Sequence, residues 1–235
     1  MTHHPVVSHD EWIQSRRELL AKEKQFTALR DELAALRRDL PWERVQKTYE
    51  FLGPNGRVTF ADIFDGKSQL IVYHFMFSPE AEQPCKSCSF WADGFNNIRP
   101  HLAARDVALV AISRAPVEKL SGFARRLGWT FPWYSSGEGD FNYDYGVSFS
   151  KDDAEGGRIT YNYAPSRMKM RDLPGISVFY KDAAGNIFHS YSCYARGLDM
   201  LNPAYQYLDL VPKGRDEDGL SSPMAWVRYR DKYEN

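Results

Sequence analysis

Gln69 to Trp91 reads QLIVYHFMFSPEAEQPCKSCSFW, and the reading of this stretch decides the fold. Its first part, Leu70 to Phe77, is a continuous apolar run rich in β-branched and aromatic residues. Such a run fits a strand buried on both faces, as in the middle of a mainly parallel sheet. A polar turn containing Pro79 and Pro84 follows, and then Cys85-Lys86-Ser87-Cys88. Beyond the cysteines Phe90, Trp91, Phe95, Ile98 and Leu102 recur at helical intervals. Cys85 is therefore expected where a buried strand has ended and a helix begins.

That position bears on the chemistry. A helix start presents unpaired backbone N–H groups and a partial positive charge, both of which favour a thiolate over a thiol. Lys86 adds a neighbouring cation. In such settings the first thiol of a Cys-x-x-Cys pair titrates at roughly 3.5–7.5. The spacing places both sulfurs on one helix face, close enough for a disulfide. A reversible dithiol–disulfide couple is the favoured reading. Inert buried thiols and half of a zinc site are the other two. A structural zinc site needs four ligands, and the only other cysteine is Cys193, with no His-x-x-x-His in the chain.

The 235 residues are 43% hydrophobic and 26% charged, with a formal net charge of −1. That length is ample for one core plus an extension. The near-neutral balance gives no electrostatic case for nucleic acid or an anionic membrane. Three cysteines are too few for a disulfide-stapled secreted domain. The start, MTHHPVVSHDEW, lacks the apolar core of a signal peptide. No apolar run approaches the roughly 20 residues needed to span a bilayer. The expected setting is the cytoplasm.

On either side of the central stretch the pattern divides the chain into three parts. Residues 1–47 form an amphipathic helical arm. Ser8 and Glu11 have the spacing of a capping box. Behind them Trp12, Leu19, Phe26, Leu33 and Leu40 recur every seven residues, with Leu29 and Leu36 between and Lys22 interrupting. The helix should end before Pro41. A narrow seam of this kind suits a homodimer formed through the N-terminal helix, and equally a helix lying across its own domain. Residues 48–210 read as an α/β domain. Thr48 to Leu52 and Arg57 to Phe60 flank the turn Gly53-Pro54-Asn55-Gly56 as a hairpin. Val107 to Ser113 is a second apolar strand, and Pro116 opens a helix that stops near Gly128. Phe141, Tyr143, Tyr145, Val147 and Phe149 alternate with other residues, as do Ile159, Tyr161 and Tyr163. These two runs predict a β-hairpin inserted at about 141–163, either a packed face or a lid near the thiols. Ile176 to Tyr180 and Ile187 to Tyr191 form another hairpin, and Leu198 to Leu210 a last helix delayed by Pro203. The tail, 211–235, carries Met224, Trp226, Tyr229 and Tyr233, aromatics expected to dock on a surface.

A strand, a Cys-x-x-Cys at a helix start, a β-α unit and a proline just before an antiparallel hairpin together resemble the thioredoxin fold. The fold class expected is thus a central mixed sheet flanked by helices, with the helical extension and inserted hairpin added. In that superfamily the proline is cis, faces the dithiol and leaves backbone exposed for an extended substrate segment. The matching residue is Pro174, in Arg171-Asp172-Leu173-Pro174-Gly175. The usual Trp before the first cysteine is replaced by Pro84, and Trp91 follows the pair. More closely, about Trp12 to Tyr233 resembles a bacterial family of predicted dithiol–disulfide oxidoreductases. The match is carried by Tyr73 to Phe77, Cys88 to Asp93, Ser113 to Pro116, Leu173 to Asp182, Tyr194 to Asp199 and Lys213 to Glu217.

The expected roles follow. Cys85 is the nucleophile and Cys88 resolves the mixed disulfide, with Lys86 holding the thiolate. His74 either shuttles protons for exchange or is a hydrogen-bonded core histidine. Cys193 is an extra resolving thiol or an inert one. The substrate would be a disulfide-bearing protein or a small-molecule thiol, and no cofactor or metal is required. Two other classes stay open. A peroxiredoxin-like peroxidase would share the fold, but its Pro-x-x-x-Thr-x-x-Cys site precedes neither cysteine, and Ser78 and Ala81 stand seven residues before them. A non-catalytic binding module, or a metal carrier using the cysteines and a histidine, is the second.

Overall fold

The computed structural model describes residues 4–234; the first three positions of the expected arm and the last of the expected tail lie outside them. In chain order the elements are α1 (His9–Arg38), β1 (Glu43–Arg44), β2 (Glu50–Gly53), β3 (Gly56–Thr59), β4 (Gln69–His74), α2 (Lys86–Ala92), α3 (Phe95–Ala103) and β5 (Val107–Ser113). They continue with α4 (Val117–Arg126), β6 (Trp133–Ser135), α5 (Phe141–Asp144), α6 (Lys151–Gly156), β7 (Ile159–Tyr161), β8 (Ala164–Ser166), β9 (Gly175–Lys181), β10 (Ile187–Tyr194) and α7 (Pro203–Leu208).

Residues up to 41 form one compact unit and those from 42 onward another. The boundary expected at 47 moves back because β1 pairs with β10, Glu43 opposite His189. In the first unit α1 begins at a complete capping box: Ser8 N–H donates to Glu11, and Glu11 N–H donates to the Ser8 hydroxyl. It ends on Arg37, Arg38 and the cap Asp39, before Pro41. None of its residues is buried.

The second unit is built on an eight-stranded sheet in the order β1-β10-β9-β4-β5-β6-β2-β3. β4 pairs parallel with β5 and β5 with β6, while β9 lies antiparallel on the other side of β4. A parallel β-α-β unit with an antiparallel hairpin on its far edge is the thioredoxin-like arrangement. Alternation along the central strands divides the core in two. Tyr73, Phe75, Phe77, Leu109 and Ala111 face a layer with Cys88, Trp91, Leu120, Phe123 and Trp129. Leu70, Val72, Val110 and Ile112 face the other way, onto Phe51, Phe60, Phe64, Phe141 and Phe179.

The expected hairpin at 141–163 is not formed as read. Phe141–Asp144 is a helical turn, and Ser150 caps α6 by accepting from Asp153 N–H at 3.1 Å. Positions four apart share a face under a period of two and under a helical period, so Phe141 and Tyr145, with rings 4.8 Å apart, satisfy both patterns. The inserted hairpin is instead β7–β8, Ile159 opposite Ser166. Its turn is Asn162 and Tyr163, at φ 53° and 63°, so Tyr163 belongs to the turn and not to a strand. The last helix is split: a 3-10 stretch, Ala195–Leu201, precedes α7, which Asn202 caps and Pro203 opens. Among the described residues no peptide bond is cis, so Leu173–Pro174 is trans, the ordinary preference of an X–Pro bond. No helix among the described residues is long and apolar enough to cross a membrane.

Candidate active site

Strand β4 delivers the chain to Met76, whose carbonyl accepts from Cys85 N–H at 3.0 Å and closes the Pro79–Pro84 turn. Cys85 then caps α2 in extended conformation, and its sulfur accepts from Cys88 N–H at 3.5 Å. Ser89 ties the cap down by donating its backbone N–H and its hydroxyl to Cys85 O, each at 3.0 Å. Cys88 lies three residues on, in the first turn of α2. Cys85 is half-buried and Cys88 buried.

These surroundings separate the two thiols electrostatically. The Cys88 thiol first, then the N–H groups of Cys88 and Ser87 and the Ser87 hydroxyl, bring Cys85 from 9.0 down to about 6 against the opposing effect of burial. Helix α2 is only 7 residues long, so specific donors rather than a long helix dipole carry the shift. Burial, with the charge of Cys85 beside it, pushes Cys88 well above the ordinary thiol range. Met76 N–H and the Tyr73 phenol act in the other direction on Cys88. One thiol is thus half-buried and acidified, and the other is buried with its protonated form favoured.

The other expected residues fall in several places. Lys86 donates to Ala225 O at 3.2 Å. Trp91 is a buried anchor whose indole N–H donates to Leu198 O at 2.9 Å. His74 points to the face opposite the thiols, onto Phe141 and Tyr145. Its Nε2 is 2.8 Å from Ser177 Oγ, and the chain of contacts continues through Ser192 to His189. Tyr73, its neighbour, occupies the thiol face instead, as strand alternation requires. Pro174 lies in the loop before β9, its carbonyl accepting from the Tyr161 hydroxyl at 2.6 Å. Cys193, half-buried on β10, lines a concavity of about 450 Å³ with Tyr163, Tyr194 and Arg196.

Cys85 lines a different cleft, of about 280 Å³, walled by Met76, Glu80, Gln83, Met170 and Arg171. Glu80 and Arg171 pair at 3.3 Å. Behind them Arg114, 5% exposed, makes a two-pronged bond to Asp172 at 2.8 and 2.9 Å, which Ser148 also donates to at 2.7 Å. This pair fastens the end of β5 to the loop before β9. The tail closes the other side: Tyr229 donates to Pro84 O at 2.6 Å, and Trp226 packs edge-on to Phe90. Among the described residues no group of three or more His, Cys, Asp and Glu side chains is placed to hold a metal ion.

Sequence reasoning missed Tyr73, Ser87, Arg114, Asp172 and Tyr229. For Ser87 the signal is its place between the cysteines, and for Tyr73 it is the parity of β4. Arg114 and Asp172 lie 58 residues apart, and nothing local announces their pairing.

The chain is similar to Peroxidoxin BcpB from Mycobacterium tuberculosis, at 16% identity, covering 69% of this chain and 93% of that one, with a TM-score of 0.47. It is also similar to Peroxiredoxin Q from Xanthomonas campestris, at 17% identity, 74% and 94% coverage and a TM-score of 0.44. A yeast mitochondrial 1-Cys peroxiredoxin is similar at 17% identity, with 80% and 83% coverage and a TM-score of 0.43. No curated protein matches the chain. The family model described as bacterial protein of unknown function (DUF899) matches residues 1–233, and the chain belongs to that family.

Proposed function

We propose that the protein catalyses thiol–disulfide exchange through Cys85 and Cys88, on a low-molecular-weight disulfide in the cytoplasm. The observation that carries this reading is the placement of the pair: half-buried Cys85 caps α2 with Cys88 N–H donating to its sulfur at 3.5 Å, and buried Cys88 stands three residues behind it. The Cys85 thiolate attacks one sulfur of the substrate disulfide, forming a mixed disulfide and expelling the other half as a thiolate. With the Cys85 charge consumed, one cause of the high Cys88 pKa is gone, while Tyr73 and Met76 N–H still donate to its sulfur. Cys88 then loses its proton and attacks Cys85, releasing the second half of the substrate. The substrate has gained two electrons, and the enzyme holds a Cys85–Cys88 disulfide. Two equivalents of a reducing thiol, by the same steps in reverse, restore the dithiol and leave as their own disulfide.

The loop before β9 supports a small substrate. In the superfamily this backbone is left open for an extended segment, but here Leu173 N–H donates to Val147 O and Arg171 O accepts from Phe149 N–H, each at 2.9 Å. The residue before Pro174 therefore has no N–H to offer an added strand. The cleft beside Cys85 suits a small molecule, with two flexible methionines and the Glu80–Arg171 pair at its walls.

The test is trapping. Cys88→Ser should accumulate a mixed disulfide on Cys85 when incubated with a small disulfide, seen as an adduct by peptide mass mapping. Trapping on Cys88 in a Cys85→Ser variant would reverse the assignment. Rapid reduction of hydroperoxides by the reduced protein, with no adduct from disulfides, would replace exchange by peroxidase chemistry.

A further inference from the structure

We propose that α1 is a dimerisation helix whose partner is the same helix of a second copy of this chain, parallel and in register. The observation is a 30-residue helix that buries none of its residues while carrying an apolar seam. Trp12, Leu19, Phe26, Leu33 and Leu40 stand seven apart, and Leu29 and Leu36 fill the intermediate positions of the second half. All of these residues are between 39% and 61% exposed. At 1.5 Å per residue the helix presents a stripe about 45 Å long. A repeat of seven selects a left-handed two-helix seam over a broad face.

The flanking charges choose the partner and its direction. With Trp12 and its repeats as the first seam position, the positions just before the repeats are Glu11, Glu18, Gln25, Glu32 and Asp39. The positions on the other flank are Arg16, Glu23, Arg30 and Arg37. One flank is acidic and the other mainly basic. In a parallel pair, each residue of the first flank meets the residue five positions later on the other helix. Glu11 then faces Arg16, Gln25 faces Arg30 and Glu32 faces Arg37, each twice by symmetry. Only Glu18 against Glu23 is repulsive, and Arg16 lies 2.7 Å from Glu23 on its own helix to offset it. In an antiparallel pair each flank meets itself, which sets Glu18 against Glu32 and Glu11 against Asp39. Ser15 and Lys22 interrupt the seam in the first half. Polar seam residues cost stability and fix register, so the association is centred on Phe26 to Leu36, the last seam residue within α1.

Sedimentation equilibrium on the full chain tests this. The wild-type protein should be a dimer at micromolar concentration, and the doubly substituted Leu29→Glu, Leu33→Glu chain should be a monomer. Both positions are exposed, so thermal unfolding and thiol reactivity of the second unit should be unchanged. Glu32→Lys tests the direction. It places a lysine against Arg37 in the parallel pair and should raise the dissociation constant roughly two- to tenfold; adding Arg37→Glu should restore it. In an antiparallel pair Glu32→Lys would tighten association instead. A monomeric wild type, a dimer that survives the double substitution, or a tighter Glu32→Lys dimer would each overturn the proposal.

Discussion

At the scale of single residues, the site rests on an asymmetry between two chemically identical thiols. Cys85 is the cap of a helix turn and collects donors; Cys88, three residues on, is enclosed by Tyr73 and the core. Alkylation of Cys85 by a neutral haloacetamide should therefore rise as pH passes through about 6 and level off above it. Ser87→Ala removes a donor and should move the midpoint up. A rate still climbing near 9.0, the ordinary thiol value, would contradict the reading. Stability follows the same groups. Between the folded and unfolded pKa the unfolded chain holds more protons at this thiol, so its contribution grows with pH across that window and is lost as pH falls through about 6. The cysteines were legible in the sequence because their spacing is local. Which of Tyr73 and His74 meets them was not, because that depends on which face of the sheet receives α2.

At the scale of elements, legibility followed the distinctness of the period. The run of β5 and the glycine-rich turn between β2 and β3 have one interpretation each and formed where expected. The aromatic stretch from Phe141 has two, and packing decided between them. As a helical turn it sends Phe141 into contact with Tyr49, Phe51 and Phe60, at 5.1, 5.0 and 5.4 Å between ring centroids. A strand there would instead have placed Phe141, Tyr143 and Tyr145 together on one face. Phe141 is 1% exposed, so Phe141→Ala should cost about 3–5 kcal/mol. Urea unfolding would show this as a lower midpoint at unchanged slope. A loss under about 1 kcal/mol would mean that the ring is not packed as described.

At the scale of the whole molecule, a mixed sheet was expected from a strand, a dithiol helix and a late hairpin, whereas its full strand order and its closures were not legible. Arg114 with Asp172, Tyr229 with Pro84 and Val147 with Leu173 join segments far apart in sequence, and each carries no pattern of its own. The face opposite the thiols holds His74 and His189, linked through Ser177 and Ser192. Burial lowers His74 from 6.5 to about 3, and burial also lowers His189. His74 Nδ1 has no hydrogen-bond partner, so a proton there would be charged and unpaired in the core. The unfolded chain binds that proton first, so global stability should fall as pH drops from about 6.5 toward about 3. His74→Gln should flatten that part of the stability–pH curve; an unaltered slope would remove His74 as its cause.

The cap geometry of Cys85 carries one more consequence. Its sulfur serves α2 as an acceptor in the anionic form, and joining it to Cys88 discharges that anion and removes the thiol that donated to it. Everything that acidifies Cys85 therefore stabilises the reduced protein over the oxidised one. The couple is shifted toward a less negative potential than two unperturbed cysteines would have, so its disulfide is reduced more readily than theirs.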